Sequence, residues 1–413
     1  MHARSRHLRR GSAYVAVLGA ATLVMVIALA VITAGRVQGR SVNWGRDIIK
    51  ARTCAHAGLQ WGFYQISQDP DWRTNFPNGR WVSSRAVDDG KFHLDVVDPT
   101  DGDLADAPED PVVLTASGYR GQSRQLAQVS LVAEVVPLEA LNTCLHAGGQ
   151  LNVKGGKSIT ASGAPLSTNA DLDNEGTVVG GVEAVSATRM GVITGTVSIP
   201  APPKHMPYDR TFDTYVALAT VAFNPGTMWE ELLTPDRNPF GGGLNPDGVY
   251  YIDTGGGDLH IKRTRIHGTL VVKCPGKTVF IEDRSLLHAF RSDYPVLVVD
   301  GNVKIELKSA TENLWESFTR NMNPPGSPYE GHSDTDETDV YPSRVQGLVH
   351  VRGNLTIKET SRIVGAVICE GKVEIDHDPT ITHEPALYEN PPMGYTYVKR
   401  MKPSAGTWKQ VMP

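Results

Sequence analysis

The sequence predicts an α+β amino-terminal part, a long helix plus a small antiparallel sheet, followed by an all-β region wound as a right-handed parallel β-helix. An antiparallel β-sandwich is the alternative for that second region. Three observations carry the prediction. Residues 11–35 hold no charged side chain. All 27 prolines lie at or after Pro70, so no proline interrupts a helix before that point. A glycine-led unit, G-x-[VL]-x-[IV], recurs after residue 138. Hydrophobic residues at 40% and charged residues at 21% exclude a wholly disordered chain, and 41 glycines exclude a helical protein throughout.

The first element is the run GSAYVAVLGAATLVMVIALAVITAG, and about 20 apolar residues suffice to cross the hydrocarbon core of a bilayer. Arg4, Arg6, Arg9 and Arg10 precede it, and Arg36 and Arg40 follow. The basic flank predicts a cytoplasmic amino terminus and a body on the far side of the membrane. A cleaved secretory signal has a shorter apolar region, of about 7–15 residues. Beyond the run, Ile48, Ala51, Ala55, Leu59, Phe63 and Ile66 recur three and four residues apart, which extends an amphipathic helix to Asp69-Pro70. Gly35, Gly39 and Gly45 are candidate bends.

These residues carry a resemblance. The basic leader ending in Gly11, the run SAYVAVLGAATLVMVIALA and the segment RTCAHAGLQWGFYQISQDPDWR are together similar to the amino-terminal region of PilX-type minor pilins and of the K-type minor pseudopilin of type II secretion. The resemblance covers about residues 8–136. Ala55, His56, Ala57, Gly58, Leu59 and Gly62 match the family pattern A-E-A-G-[LI]-x-x-[AG], with His56 in place of the acid. It implies cleavage by a prepilin peptidase between Gly11 and Ser12. It also implies a helix, including Tyr14, Ala16, Leu23 and Ile27, that stays in the membrane or packs in a filament core. Major pilins carry Glu at the fifth mature position, where this chain has Ala16, and Phe where it has Ser12. Members without that acid resemble tip or initiating subunits.

Next come short alternating segments. Phe92, Leu94 and Val96 alternate with His93 and Asp95, and Val112–Ala116 and Val129–Val135 repeat the pattern, so three or four antiparallel strands are expected over residues 76–136. Asp98, Asp101, Asp103, Asp106 and Asp110 in the intervening loop offer hard oxygen ligands for calcium, although clustered turn aspartates are commonly just solvated.

The glycine-led unit occurs at Gly149, Gly257, Gly301, Gly353 and Gly371, and at Gly276 with one extra residue. Strands this short bury one face each and gain a core only by stacking. The expected β-helix spans residues 138–390. It places Leu355, Ile357, Val373 and Ile375 inward and Thr356, Lys358, Glu374 and Asp376 outward. Residues 206–237 read as two short outlying helices, 309–343 as a polar excursion, and 391–413 as a tail whose strand caps the last turn.

Candidate chemistry is sparse. Asp376, His377, Asp378 and His383, beside Glu374 and Glu384, are metal-ligating residue types without a zinc spacing. Asp334, Asp336, Glu337 and Asp339 lack the EF-hand pattern. Asp253, Asp258, Asp283 and Asp300 are candidate acids for a polysaccharide lyase or hydrolase. Cys54, Cys144, Cys274 and Cys369 allow three full disulfide pairings. Lys and Arg total 40 against 45 Asp and Glu, a net charge of −5, which argues against nucleic acid as a partner.

The expected function is that of a single-pass inner-membrane protein without enzymatic activity or cofactor, a minor pilin or pseudopilin-like subunit displaying a β-helix. Its expected partners are other pilin-like subunits, the assembly platform and the lipid bilayer. A cell-surface protein that binds or cleaves polysaccharide is the alternative.

Overall fold

The computed structural model describes residues 8–241, 245–317 and 320–411, with the backbone alone for 8–12. The expected leader therefore lies mostly outside the described residues. The chain divides into two compact units, residues 1–135 with 398–413, and residues 136–397.

In the first unit, helix α1 (Leu8–Gln68) is unbroken through Gly35, Gly39 and Gly45. At 1.5 Å per residue it is about 90 Å long. Asp69-Pro70 ends it, and Asp69 anchors the next turn, α2 (Trp72–Asn75), by accepting from the Asp71 amide at 2.9 Å. Four antiparallel strands follow in sequence order: β1 (Gly79–Val87), β2 (Gly90–Val97), β3 (Val112–Arg120) and β4 (Ser123–Pro137). Registers Leu94–Ala116 and Leu114–Val129 put Phe92, Leu94, Val96, Leu114, Ala116 and Val129 on one face. That face is buried together with Ala55, Leu59 and Trp72.

Small residues bring helix and sheet into close contact. A Cβ on Gly58 would meet the Phe92 ring at 2.8 Å, and one on Gly62 would meet Leu114 at 2.8 Å. A Cβ on Gly118 would fall on the Ala51 carbonyl oxygen and the Ala55 amide nitrogen. The stripe read from the sequence supplies the helix side, with Ala51, Ala55 and Leu59 fully buried.

The tail corrects its expectation. Rather than capping the last turn of the second region, Thr396–Pro403 and Lys409–Val411 pair with β4. The second unit is thus inserted between two neighbouring strands of the first unit's sheet. The outer edge of β4 exposes unpaired backbone groups, and the returning chain satisfies them. Trp408 fixes the return, stacked on His56 at 6.1 Å and tilted against Phe63 at 5.8 Å between ring centroids.

The main sheet of the second unit closes on itself, and its pairings are parallel, which rules out the antiparallel sandwich. All six glycine-led units fall in one stack. Leu151 pairs with Val373, Val373 with Leu355, Leu355 with Val303, Val303 with Val279 and Val279 with Leu259. Their apolar residues are buried in one continuous core. Gly149, Gly301, Gly353 and Gly371 stand where successive layers touch: a Cβ on Gly371 would lie 2.5 Å from the Gly353 carbonyl oxygen. Asparagines tie the same corner, with Asn302 Oδ1 accepting from the Asn354 amide and Asn354 Oδ1 from the Lys372 amide, both at 2.9 Å.

Chain order and spatial order differ. The chain enters mid-stack at Leu145–Ala147 and proceeds through Leu166–Val179 and Val182–Ile193 to Val197–Ser198. Residues 199–220, with helix α3 (Arg210–Leu218), then connect to the opposite end at Val221–Phe223. From there the layers return until Val367–Cys369 pairs with Leu145–Ala147.

The expected pair of helices over 206–237 is corrected. Only α3 forms, while Val221–Phe223, Thr227–Trp229 and Leu232–Leu233 make the terminal layer of parallel strands. Pro225-Gly226 divides the segment into pieces too short for helical periodicity to decide their state. The excursion at 309–343 pairs Leu314–Trp315 with Val340–Tyr341 and buries Leu314, Met322 and Tyr341 against Leu232 and Leu286.

Candidate functional site

The first candidate is the amino-terminal half of α1. A helix apolar all round must be covered by protein, lipid or other helices. This one buries nothing of its apolar window and is long and apolar enough to cross a membrane by length and composition. Tyr14 is 82% exposed, Leu23 63% and Ile27 53%, and Ala16 shares the exposed stretch. Gly11 and Ser12 lie in its helical backbone. The two threonine hydroxyls in this stretch are satisfied internally: Thr22 donates to the Leu18 carbonyl at 2.9 Å and Thr33 to the Leu29 carbonyl at 2.7 Å. Such pairing suits a hydrocarbon environment, which offers no other hydrogen-bond partner.

The metal set proposed around Asp376 does not assemble. Asp376 is taken by Lys154 at 3.0 Å and Lys358 at 3.3 Å, and Glu374 by Lys154 at 2.7 Å. Burial raises the Asp376 carboxyl, but the two lysines outweigh it and leave the group below the ordinary carboxylate range. Asp378 accepts from the Ser158 amide at 2.7 Å, beside His377 at 3.6 Å. His383 is buried, with Nε2 2.8 Å from the Leu141 carbonyl. Asp376, Asp378 and His383 are each engaged by a different partner, and the four share no centre.

The candidate acids of the second unit are dispersed in the same way. Asp253 accepts from the Gly255 amide and Asp258 from the Thr278 amide. Asp283 pairs with Arg263 at 2.9 Å, and Asp300 with Arg352 at 3.4 Å. In the excursion, Asp334 accepts from Asn321, Asp336 from Thr338, and Asp339 from Asn323. A cleft of about 380 Å³, bordered by His288, Phe290, Tyr294 and Gln346, has one carboxylate in its lining, Glu384. The four cysteines are all buried and free, and burial pushes the Cys274 and Cys369 thiols up to about 12.

The β2–β3 loop is different. Asp98, Asp101, Asp106 and Asp110 place one carboxylate oxygen each within 4.8 Å of one another, and no other such group of acids, histidines or cysteines occurs among the described residues. Asp103 stands apart, accepting from the Ala105 amide at 2.9 Å. Burial first, and then the Asp101 carboxyl, raises Asp106 above its ordinary value; burial and then Asp98 and Asp101 raise Asp110. Arg73, which sequence reasoning did not single out, holds the loop from α2 by donating to the Leu104 and Asp110 carbonyls. Only its place after Asp-Pro-Asp-Trp marks it in the sequence.

No protein-family model matches the chain, and no curated protein matches it. Among solved structures, it is similar to the competence-associated pilin ComZ from Thermus thermophilus, at 11% identity and a TM-score of 0.36, over 88% of this chain and 98% of that one. It is also similar to a glycosylated ice-binding protein from Arctic yeast, at 11% identity and a TM-score of 0.29, over 60% of this chain and 94% of the other. An ice-binding protein from Antarctomyces psychrotrophicus matches at 13% identity and a TM-score of 0.26, over 60% and 99%. At these TM-scores the likenesses assign neither activity nor ligand.

A second arrangement missed from the sequence lies beside the cleft. Arg265 is wholly buried, and its guanidinium donates to the carbonyls of Met322, Ser327 and Pro328 and to His288 Nε2. The bond to His288 requires a neutral ring, and burial, with His267, Arg265 and Arg344 nearby, pushes that imidazole down to about 2. This group fastens the excursion to the stacked strands. Its role is structural.

Proposed function

We propose that this chain is a membrane-anchored, non-enzymatic, pilin-like subunit carrying an inserted right-handed parallel β-helix on the far side of the cytoplasmic membrane. One observation supports the reading above all: α1 is apolar and uncovered in its first half, yet packs through Ala51, Ala55, Gly58, Leu59 and Gly62 onto a small antiparallel sheet in its second. A helix divided in this way suits a subunit that leaves its first half to lipid or to like helices and its second half to a folded head.

The β-helix reading rests on the six glycine-led strands, stacked in register and parallel, with apolar residues inward. In this account a prepilin peptidase cuts between Gly11 and Ser12, and the helix then joins others of its kind on an inner-membrane assembly platform. Ala16 stands where polymerising subunits carry an acid, which favours a tip or initiating position.

Mass spectrometry of the mature amino terminus from native membranes tests this function. A chain beginning at Ser12 is expected. An intact Met1, or a terminus beyond Ala34, would remove the pilin-like assignment.

A further inference from the structure

We propose that the β2–β3 loop is a calcium site formed by Asp98, Asp101, Asp106 and Asp110. The inference goes beyond the assembly role and does not depend on it. Clustered acids alone would mean little, but Asp98 supplies a second observation. Its side chain is fully buried, and its Oδ2 accepts no hydrogen bond. Its other oxygen accepts from the Thr100 amide at 2.7 Å, and Arg73 Nη1 stands 3.9 Å from Oδ2. A buried carboxylate oxygen left without a hydrogen bond costs free energy comparable to a lost one. Here that carboxylate belongs to the cluster whose oxygens come within 4.8 Å of one another.

The chemistry of the donors selects the ion. Six acids between Asp98 and Asp110, four of them in the cluster, face the single positive charge of Arg73, so the loop is strongly acidic before any ion enters. All the donors are hard oxygens, which suits magnesium, calcium or manganese better than zinc or copper, whose sites draw on nitrogen and sulfur. Magnesium sites usually use one or two carboxylates with several waters in a strict octahedron, whereas calcium takes 6–8 oxygens in a flexible shell. Asp98 directly follows β2, and Asp110 is separated from β3 by Pro111 alone. An ion held by both would clasp the loop where the two strands part and return, and would offset the mutual repulsion of four carboxylates whose oxygens lie within 4.8 Å of one another.

Isothermal titration of CaCl2 into the chelator-stripped, full-length chain in detergent micelles tests the proposal. One saturable site is expected, with Kd on the order of 10⁻⁴–10⁻³ M, as in extracellular calcium modules. Asp98→Asn and Asp106→Asn should each weaken it at least tenfold. Asp106 is exposed, so its variant keeps the test valid if Asp98→Asn does not fold. Asp103→Asn, outside the cluster, should leave Kd unchanged. Absence of saturable binding up to 10-fold above about 10⁻³ M calcium, or equal weakening by Asp103→Asn and Asp106→Asn, would overturn the site.

Discussion

Gly118→Ala is expected to unfold the first unit's sheet while leaving the second unit intact. The added methyl would land on the Ala51 carbonyl oxygen and the Ala55 amide nitrogen. Both are backbone atoms of α1, so no side-chain rotation makes room. Overpacking a tight core costs about 1–3 kcal/mol where side chains can shift, and more where they cannot. A loss above about 3 kcal/mol is therefore expected here, a large share of the stability of a small domain. Gly58→Ala is the control, because its methyl meets the side chains of Phe92 and Ala116 and not backbone, at 2.8 and 3.0 Å, and it should cost less. Hydrogen exchange on the full chain in detergent reads both, at β2, β3 and β4 for the effect and at residues 345–382 for the unaffected unit. Native protection across β3 in the Gly118 variant would refute the close approach.

Arg265→Met carries the second large effect. The variant keeps much of the side-chain volume but leaves the carbonyls of Met322, Ser327 and Pro328 without their donor. Two of the three bonds lie wholly buried. Each orphaned buried carbonyl costs about 1–3 kcal/mol, and partial relaxation of the loop brings the total to roughly 3–5 kcal/mol. Burial lowers the guanidinium only to about 10, so the wild-type side chain is charged at neutral pH and the bonds are charge-assisted. Arg265→Lys should recover part of the loss, since an ammonium offers donors without the planar fork. Thermal melting and hydrogen exchange over 309–343 are the readouts. Unchanged protection there would show that the excursion is held by Leu314, Met322 and Tyr341 instead.

What the sequence disclosed and what it hid divide along the range of the interactions. The stack of Leu151, Val373, Leu355, Val303, Val279 and Leu259 was legible because each copy carries its own glycine and its own alternating pair. The helical stripe through Ala51, Ala55 and Leu59 was legible for the same reason. The entry of the chain mid-stack was not, because pairing Leu145 with Val367 leaves no mark near either residue. Strand Thr227–Trp229 was read as helix, since its register with His260–Lys262 is set by a neighbour more than 30 positions away. The return of Lys409–Val411 to β4 is still more distant.

Among the candidate sites, the acidic loop was visible because its donors lie within 13 consecutive residues, Asp98 to Asp110. The same local reasoning misplaced Asp376 and His383, whose partners Lys154 and Leu141 come from the start of the insertion, far away in sequence. Arg265 was invisible for that reason too: its carbonyl acceptors lie 57 to 63 positions on.

Fractionation of lysed native cells tests the anchoring of the protein most directly. With Tyr14, Leu23 and Ile27 uncovered by any part of the fold, the chain should sediment with membranes, resist an alkaline carbonate wash, and come free only in detergent. Recovery of the full-length chain in the supernatant without detergent would contradict the account.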